Sequence, residues 1–489
     1  MGEKLHHPLG EKVPHPLGEK LPHTRDRNTK NRKNNTHVYR IFDRHAFRLK
    51  RLKTRTVGER HSRALRVERE RHGRWRNLVV AATGTGKTVV AALDYKRTAQ
   101  AWRGASLLFV AHRHEILDQS QKLFRHVLRD GAFGELLVAG KRPLEGRHVF
   151  GSVQSLSHVG LESIQPDAYD VVIIDEFHHA EAPTYRRLLA HLQPRLLLGL
   201  TATPERADTK DILQWFGGKI AVELRLWDAL DQGLLCPFQY FGVADDVDLS
   251  RLEWKRTGHD TVALSALYTA NDFRTGKILQ AMRNLVSNPL DMRALGFCVS
   301  IEHAEYMAQS FNKVAVPSRA VIGSTDPATR SQIIRQLQNR EINAIFTVDV
   351  FNEGVDIPEI DTVLLLRPTE SVTVFLQQLG RGLRLAEGKS GLTVLDFIGQ
   401  QRREFQFDAR FQALTGIPAR GLPDAVERGF PYLPSGCYVH LDRVATAIVL
   451  ENLKAAIRTR HDVGGPDHGA RGGGQVVDGA SRGACPLHA

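Results

Sequence analysis

Short apolar runs separated by helix-length segments fill the middle of the chain, and they restrict its fold more than any other feature. One group comprises Leu78 to Ala82, Leu107 to Ala111, Val171 to Ile174 and Leu196 to Leu200. A second comprises Gly296 to Val299, Ala344 to Val348, Thr362 to Leu366 and Thr393 to Phe397. Runs that are apolar throughout suit strands buried on both faces, and strands alternating with helices build parallel α/β sheets. The expected fold is therefore α/β, with two parallel-sheet lobes at residues 77–225 and 291–400. Between them, residues 226–290 open with Leu226, Trp227, Ala229, Leu230, Leu234 and Leu235 and are expected to pack as an interlobe helical linker. Residues 401–457 are expected to form a partial helical extension.

The two ends differ from this middle. Residues 1–60 begin with the strings G-E-K-L-H-H-P-L, G-E-K-V-P-H-P-L and G-E-K-L-P-H, repeating every eight residues, and then turn to Arg, Lys and Asn. Three short Pro-bearing repeats cannot bury a core, so a disordered basic tail is expected. Residues 458–489 become Gly-rich without apolar periodicity and are expected to be disordered too.

A chain of 489 residues has room for about three domains at ~150 residues each. Its formal charge of +13 favours a polyanionic partner, because each neutralised phosphate releases counterions. No apolar run approaches the ~18 residues needed to span a bilayer, and the N-terminus lacks the apolar core of a signal peptide. A cytoplasmic location without membrane association is expected. Cys236, Cys298, Cys437 and Cys485 form no C-x-x-C pair, which argues for reduced, structural thiols.

Behind the first apolar run stands A-A-T-G-T-G-K-T, residues 81–88, followed by a helix-like V-V-A-A-L-D-Y. Gly84 and Gly86 permit a tight turn, so that backbone N–H groups of the loop from Thr83 through Thr85 can face phosphate oxygens at a helix N-terminus. Lys87 then reaches the terminal phosphates and Thr88 can hold Mg2+. ATP and Mg2+ are the expected ligands. After the run V-V-I-I come Asp175, Glu176, Phe177 and His178. An acidic pair at the carboxyl end of a buried parallel strand sits on the ligand-binding edge of the sheet, with Asp175 placed to hold Mg2+ and Glu176 to activate water.

The order of these motifs resembles the superfamily 2 helicases, particularly bacterial D-E-x-H members of the restriction and DNA-repair type, over roughly residues 77–400. The resemblance implies two RecA-like lobes. It makes F-V-A-H-R-H-E-I-L-D-Q (109–119, with His112 and Arg113) and G-S-V-Q-S-L (151–156, with Gln154) the segments that touch the nucleic-acid backbone. It makes T-A-T-P, with Thr201, Thr203 and Pro204, the link between the ATP site and the nucleic-acid track. Q-Q-L-G-R-G-L-R at 377–384 matches the family's Q-x-x-G-R-x-x-R, so Arg381 and Arg384 would face one side of a helix and stabilise the transferring phosphoryl group. Phe346 to Pro358 looks like the family's motif V, placing Asp356 near the ribose.

Glu353 and Val348 depart from the pattern of DEAD-box RNA helicases. A DNA-directed helicase or translocase is the favoured reading, with an RNA helicase second and a nucleic-acid-binding member with impaired turnover third. The glutamine that family members carry upstream of the P-loop to read adenine is missing from residues 55–71. That departure suggests a replaced N-terminal region, and the change near Arg458 a shortened C-terminal extension. Protein partners are not indicated.

Overall fold

The computed structural model describes residues 54–138, 140–202, 212–249, 252, 254–255, 258–351, 357–400 and 405–463. They form two seven-stranded sheets, and every pairing in both is parallel.

The first sheet contains β1 (Arg76–Ala81), β2 (Leu107–Ala111), β3 (Glu135–Leu137), β4 (His148–Ser152), β5 (Val171–Ile174), β6 (Leu196–Thr201) and β7 (Val222–Leu224), in the order β3-β4-β2-β5-β6-β1-β7. Its central strands β2, β5 and β6 are buried at every position, as strands covered by helices on both faces require. The helices carry the complementary pattern. In His114–Leu128, Leu117 and Phe124 lie seven residues apart, two helical turns, and both are buried.

The second sheet contains β8 (Phe238–Asp248), then, after a small hairpin of β9 (Trp254–Lys255) and β10 (Gly258–His259), β11 (Ala294–Phe297), β12 (Ser318–Val321), β13 (Ala344–Thr347), β14 (Thr362–Leu365), β15 (Leu392–Gln400) and β16 (Tyr438–Leu441). Its order is β12-β13-β11-β14-β15-β8-β16. Several expected boundaries change here. Residues 226–290 are not a purely helical linker, because β8 belongs to the second lobe and pairs with β15 from Leu392↔Phe238 onward. Its sequence, F-Q-Y-F-G-V-A-D-D-V-D, is too polar for an apolar-run reading, yet the alternating Phe238, Tyr240 and Ala244 face the core and are buried. Residues 401–457 are likewise not wholly helical, since β16 adds a strand on β8. The closing helix, Arg443–Val463, runs beyond the expected boundary at 458.

A helix over residues 54–72 also corrects the expectation of a disordered tail reaching residue 60. Its arginine- and glutamate-rich sequence hid its role, which lies in a buried ion pair. Arg69 Nη2 meets Asp94 Oδ2 at 2.6 Å, and both side chains are about 95% shielded. Arg69 Nε donates to Asn77 Oδ1 at 2.8 Å, and Leu65 is fully buried. The helix is thereby pinned to the P-loop helix (Lys87–Ala101) and to the start of β1.

One apolar cluster runs from the first sheet (Val79, Phe109, Leu198) through Leu226, Leu230, Leu234 and Leu235 into the second (Leu295, Val363) and the helix that carries Leu379. Because strands within each sheet run the same way, the segments after β1, β2, β5 and β6 gather along one edge. That edge carries the site.

Candidate nucleotide site between the lobes

The loop after β1 adopts the conformation its glycines allow. Gly84 and Gly86 have φ of 88° and 96°, in the left-handed region where a Cβ is strained. A Cβ on Gly86 would also lie 2.9 Å from Thr54 Cγ2, and one on Gly84 3.1 Å from Arg384 Cγ. Gly86 caps the N-terminus of the Lys87–Ala101 helix, so the unpaired N–H groups and positive dipole end of that helix open beside Lys87 and Thr88. Thr85 Oγ1 donates to Ala82 O at 2.7 Å and closes the turn.

Asp175 and Glu176 follow β5, two strands from β1 on the same edge. Asp175 is pinned by its N–H donating to Val110 O at 2.9 Å. Glu176 has φ of 50°, unusual for a residue with a Cβ, and its N–H donates to Asp175 Oδ1 at 3.0 Å. The bend brings Glu176 Oε1 within 3.4 Å of Lys87 Nζ and Glu176 Oε2 within 3.4 Å of His178 Nδ1. Phe177 then packs on Phe216 with ring centroids 4.7 Å apart, in a space that Gly199 of β6 leaves open.

Burial and the adjacent Glu176 carboxylate push the Asp175 carboxyl up to about 6, against the pull of Lys87. Crowded, desolvated carboxylates beside a helix N-terminus and a lysine fit a nucleotide carrying a divalent cation, which relieves their repulsion. Thr88 and Asp175 would hold Mg2+, and the loop from Thr83 to Lys87 would hold the phosphates.

The second lobe closes the site from the opposite side. Gly380, on the helix Val372–Gly382, packs so tightly on the P-loop that a Cβ there would stand 2.5 Å from Thr83 Cβ. Arg381 lies buried on that helix, whereas Arg384 lies just past its end and is not on the helix as the spacing suggested. The helix stops at Gly382, and the turn beyond carries the Arg384 side chain to Gly84. Burial lowers the Arg384 guanidinium to about 10, leaving it charged at neutral pH.

The residues assigned to nucleic-acid coupling end other strands of the first sheet. His112 and Arg113 follow β2. The His112 ring lies 4.9 Å from that of His179, and Arg113 Nη1 donates to Val350 O of the second lobe at 3.3 Å. Gln154 is exposed on the first turn of the Val153–Val159 helix, beyond β4. Thr201 is buried at the end of β6. Thr203, Pro204, Glu353 and Asp356 lie outside the described residues.

The sequence reading passed over Gly380, Thr54 and the interlobe pair Arg330–Glu115, whose Nη1–Oε1 distance is 3.3 Å. Only the glycine left a signal, the G-R-G string around Arg381.

Comparison with known proteins agrees with this arrangement. Residues 50–206 match the model of the type III restriction enzyme res subunit, and residues 277–386 that of the helicase conserved C-terminal domain. A Saccharomyces cerevisiae protein named as an ATP-dependent helicase, IRC3, is 28% identical over 67% of this chain and 49% of its own length. The EcoAI type I restriction endonuclease subunit of Escherichia coli is 27% identical over 72% of this chain and 46% of its own. The chain thus spans about half the length of these curated relatives.

Among solved structures, the DNA-bound type ISP restriction-modification enzyme LlaBIII superimposes with a TM-score of 0.58 at 16% identity, over 82% of this chain and 32% of that one. An HsdR fragment from Vibrio vulnificus does so with a TM-score of 0.54 at 24% identity, over 70% and 63%. At these identities both show the shared fold. The chain thus carries a restriction-type first lobe and a helicase-type second lobe with a nucleotide cleft built from both, consistent with the superfamily 2 helicases of the restriction and repair type.

Proposed function

We propose that this chain is a DNA-directed ATPase that couples hydrolysis between its lobes to translocation along, or opening of, DNA. The observation that carries the reading is the meeting of Lys87 and Glu176 on one lobe with Arg384 of the other at the P-loop. Lys87 binds the terminal phosphates, and the loop Thr83–Thr88 orients them by backbone N–H groups. Glu176, turned inward by its left-handed backbone, accepts the proton of the attacking water. Arg381 and Arg384 stabilise the charge on the transferring phosphoryl group. Mg2+, when bound at Thr88 and Asp175, neutralises phosphate charge.

His112, Arg113, Gln154, Thr201 and Thr203 would transmit the state of this cleft to a nucleic-acid backbone along the same sheet edge. Arg113, bonded to Val350 O across the lobes, supports that link because a change in lobe separation must move it. DNA is favoured over RNA because the sequence relatives include restriction-enzyme subunits. The buried thiols Cys236 and Cys298 suit a reducing, cytoplasmic setting, and no helix among the described residues is long and apolar enough to cross a membrane.

The test is ATP turnover by the full chain, alone and with double-stranded DNA, single-stranded DNA or RNA. Stimulation by DNA above that by RNA is the expected result. Equal turnover with no nucleic acid would overturn the motor reading, and stimulation by RNA alone would replace DNA as the track.

A further inference from the structure

The turn that carries Arg384 has no regular secondary structure of its own, yet the proposed mechanism needs that guanidinium held across the cleft. One amine makes three bonds to and around this turn. Lys389 Nζ donates to Arg384 O at 2.8 Å, to Pro358 O at 3.2 Å and, more closely, to Gly382 O. An ammonium has three N–H donors, and here each meets a backbone carbonyl.

The acceptors are informative. Gly382 O is one of the last carbonyls of the Val372–Gly382 helix, where a positive charge is favoured by the dipole and otherwise unpaired oxygens accumulate. Arg384 O belongs to the arginine itself. Pro358 O ends the segment, Phe346 to Pro358, in which the family resemblance places Asp356 near the ribose. Cys236 adds a fourth strut, its N–H donating to Leu383 O at 2.8 Å, so the chain entering β8 grips the same turn.

Burial lowers the Lys389 amine from its usual range, with Asp361 and Arg384 acting in opposite senses. A desolvated charge of this kind is retained in a fold when its hydrogen bonds are filled. A cap needed for helix stability alone would be satisfied by a glycine and water. Three converging carbonyls, one of them on Arg384, instead fix where the side chain leaves the backbone.

From this geometry we infer that Lys389 is a positioning residue for ATP hydrolysis, setting the Arg384 guanidinium against the P-loop by clamping the turn between Pro358, Gly382 and Arg384. The inference rests on the ATPase reading above. The bonds of Lys389 go to backbone carbonyls around the turn, so it acts through the arginine.

The test is steady-state ATPase of the full chain with saturating DNA for Lys389→Met, Arg384→Ala and the double variant, alongside the wild type. For Lys389→Met, kcat should fall by about 10- to 100-fold while KM for ATP stays within about threefold, because the phosphate grip of Lys87 is untouched. The double variant should be little slower than Arg384→Ala, since a residue acting through Arg384 has nothing further to remove. Unchanged kcat in Lys389→Met, or losses that multiply in the double variant, would overturn the role.

Should Lys389→Met not fold, Lys389→Gln, which keeps two N–H donors, takes its place in the cycle. If that variant also fails to fold, the amine supplies stability rather than placement and the proposal falls. A wild-type chain with no turnover under any condition removes the proposed function and this role with it. Wild-type turnover with an unaffected Lys389→Met removes this role alone.

Discussion

Lys87 Nζ lies 3.4 Å from Glu176 Oε1, joining the P-loop helix to the acidic segment after β5 across 89 residues of sequence. Both side chains are nearly nine-tenths shielded. The pair holds Glu176 in the cleft beside the P-loop.

Replacing either member should therefore have different consequences. Lys87→Ala should abolish both productive binding and hydrolysis of ATP. Glu176→Gln preserves shape and should bind nucleotide within about threefold of wild type while turnover falls ~10²- to 10⁴-fold, the usual worth of a general base. Equilibrium binding of a fluorescent nucleotide alongside ATPase rates separates the two, and near-normal hydrolysis in Glu176→Gln would remove Glu176 from the mechanism.

Gly380→Ala should be as damaging as loss of an arginine. The added methyl would stand 2.5 Å from Thr83 Cβ, on the opposing lobe, so the arginine helix must back away from the P-loop. Each lobe can fold without strain, so the thermal midpoint should change by only a few degrees while kcat falls by about 10²-fold or more, because small displacements of catalytic groups cost rates of that order. Full activity in this variant would mean that the lobes do not meet in this way during turnover.

The Arg69–Asp94 pair should govern stability rather than chemistry. Removing one partner leaves a buried charge unpaired, so Arg69→Met should cost about 3–5 kcal/mol in denaturant melts. Asp94, whose carboxyl burial already raises, should be replaceable together with it: Arg69→Met/Asp94→Leu should recover much of the loss. A double variant less stable than Arg69→Met would show that Asp94 matters more for its other partner, Ser62, whose Oγ donates to Asp94 Oδ1 at 3.4 Å, than for the charge of Arg69.

His303 should impose an acid limb on stability. Its ring is buried and accepts from the Val299 N–H at 3.3 Å, and burial, with Arg274, depresses its pKa from 6.5 to about 3. Between those values the unfolded chain takes up a proton that the folded chain refuses, so this contribution is complete above 6.5 and is lost progressively as pH falls toward 3. From pH 7 to pH 5 the loss should be about 2 kcal/mol. His303→Asn, which keeps an acceptor for Val299, should flatten that part of a urea-melt profile. An unchanged slope would place the titration elsewhere.

ATP and GTP should be used with kcat/KM values within about tenfold of each other, since residues 55–71 contain no glutamine amide to read adenine. Competition kinetics with both nucleotides measures this. A large preference for ATP would assign base reading to another group, the 54–72 helix beside Gly86 being the nearest.

The sequence by itself determined the two parallel sheets, the P-loop and the acidic pair, because each follows from local rules: apolar runs of strand length, glycines where a turn needs positive φ, and carboxylates at a strand's end. It did not reveal β8, whose polar and apolar residues alternate along a strand that reads as linker until β15 and β16 flank it. Nor did it reveal the helix over 54–72, since arginines and glutamates look solvated until Asp94 is placed against Arg69. The tertiary structure alone decided that Gly380 touches Thr83 and that Arg384 leaves its helix to reach Gly84, with Lys389 gripping its carbonyl. The first two of those contacts join residues about three hundred positions apart, and what fixes them is the packing of one lobe on the other, which no local pattern encodes.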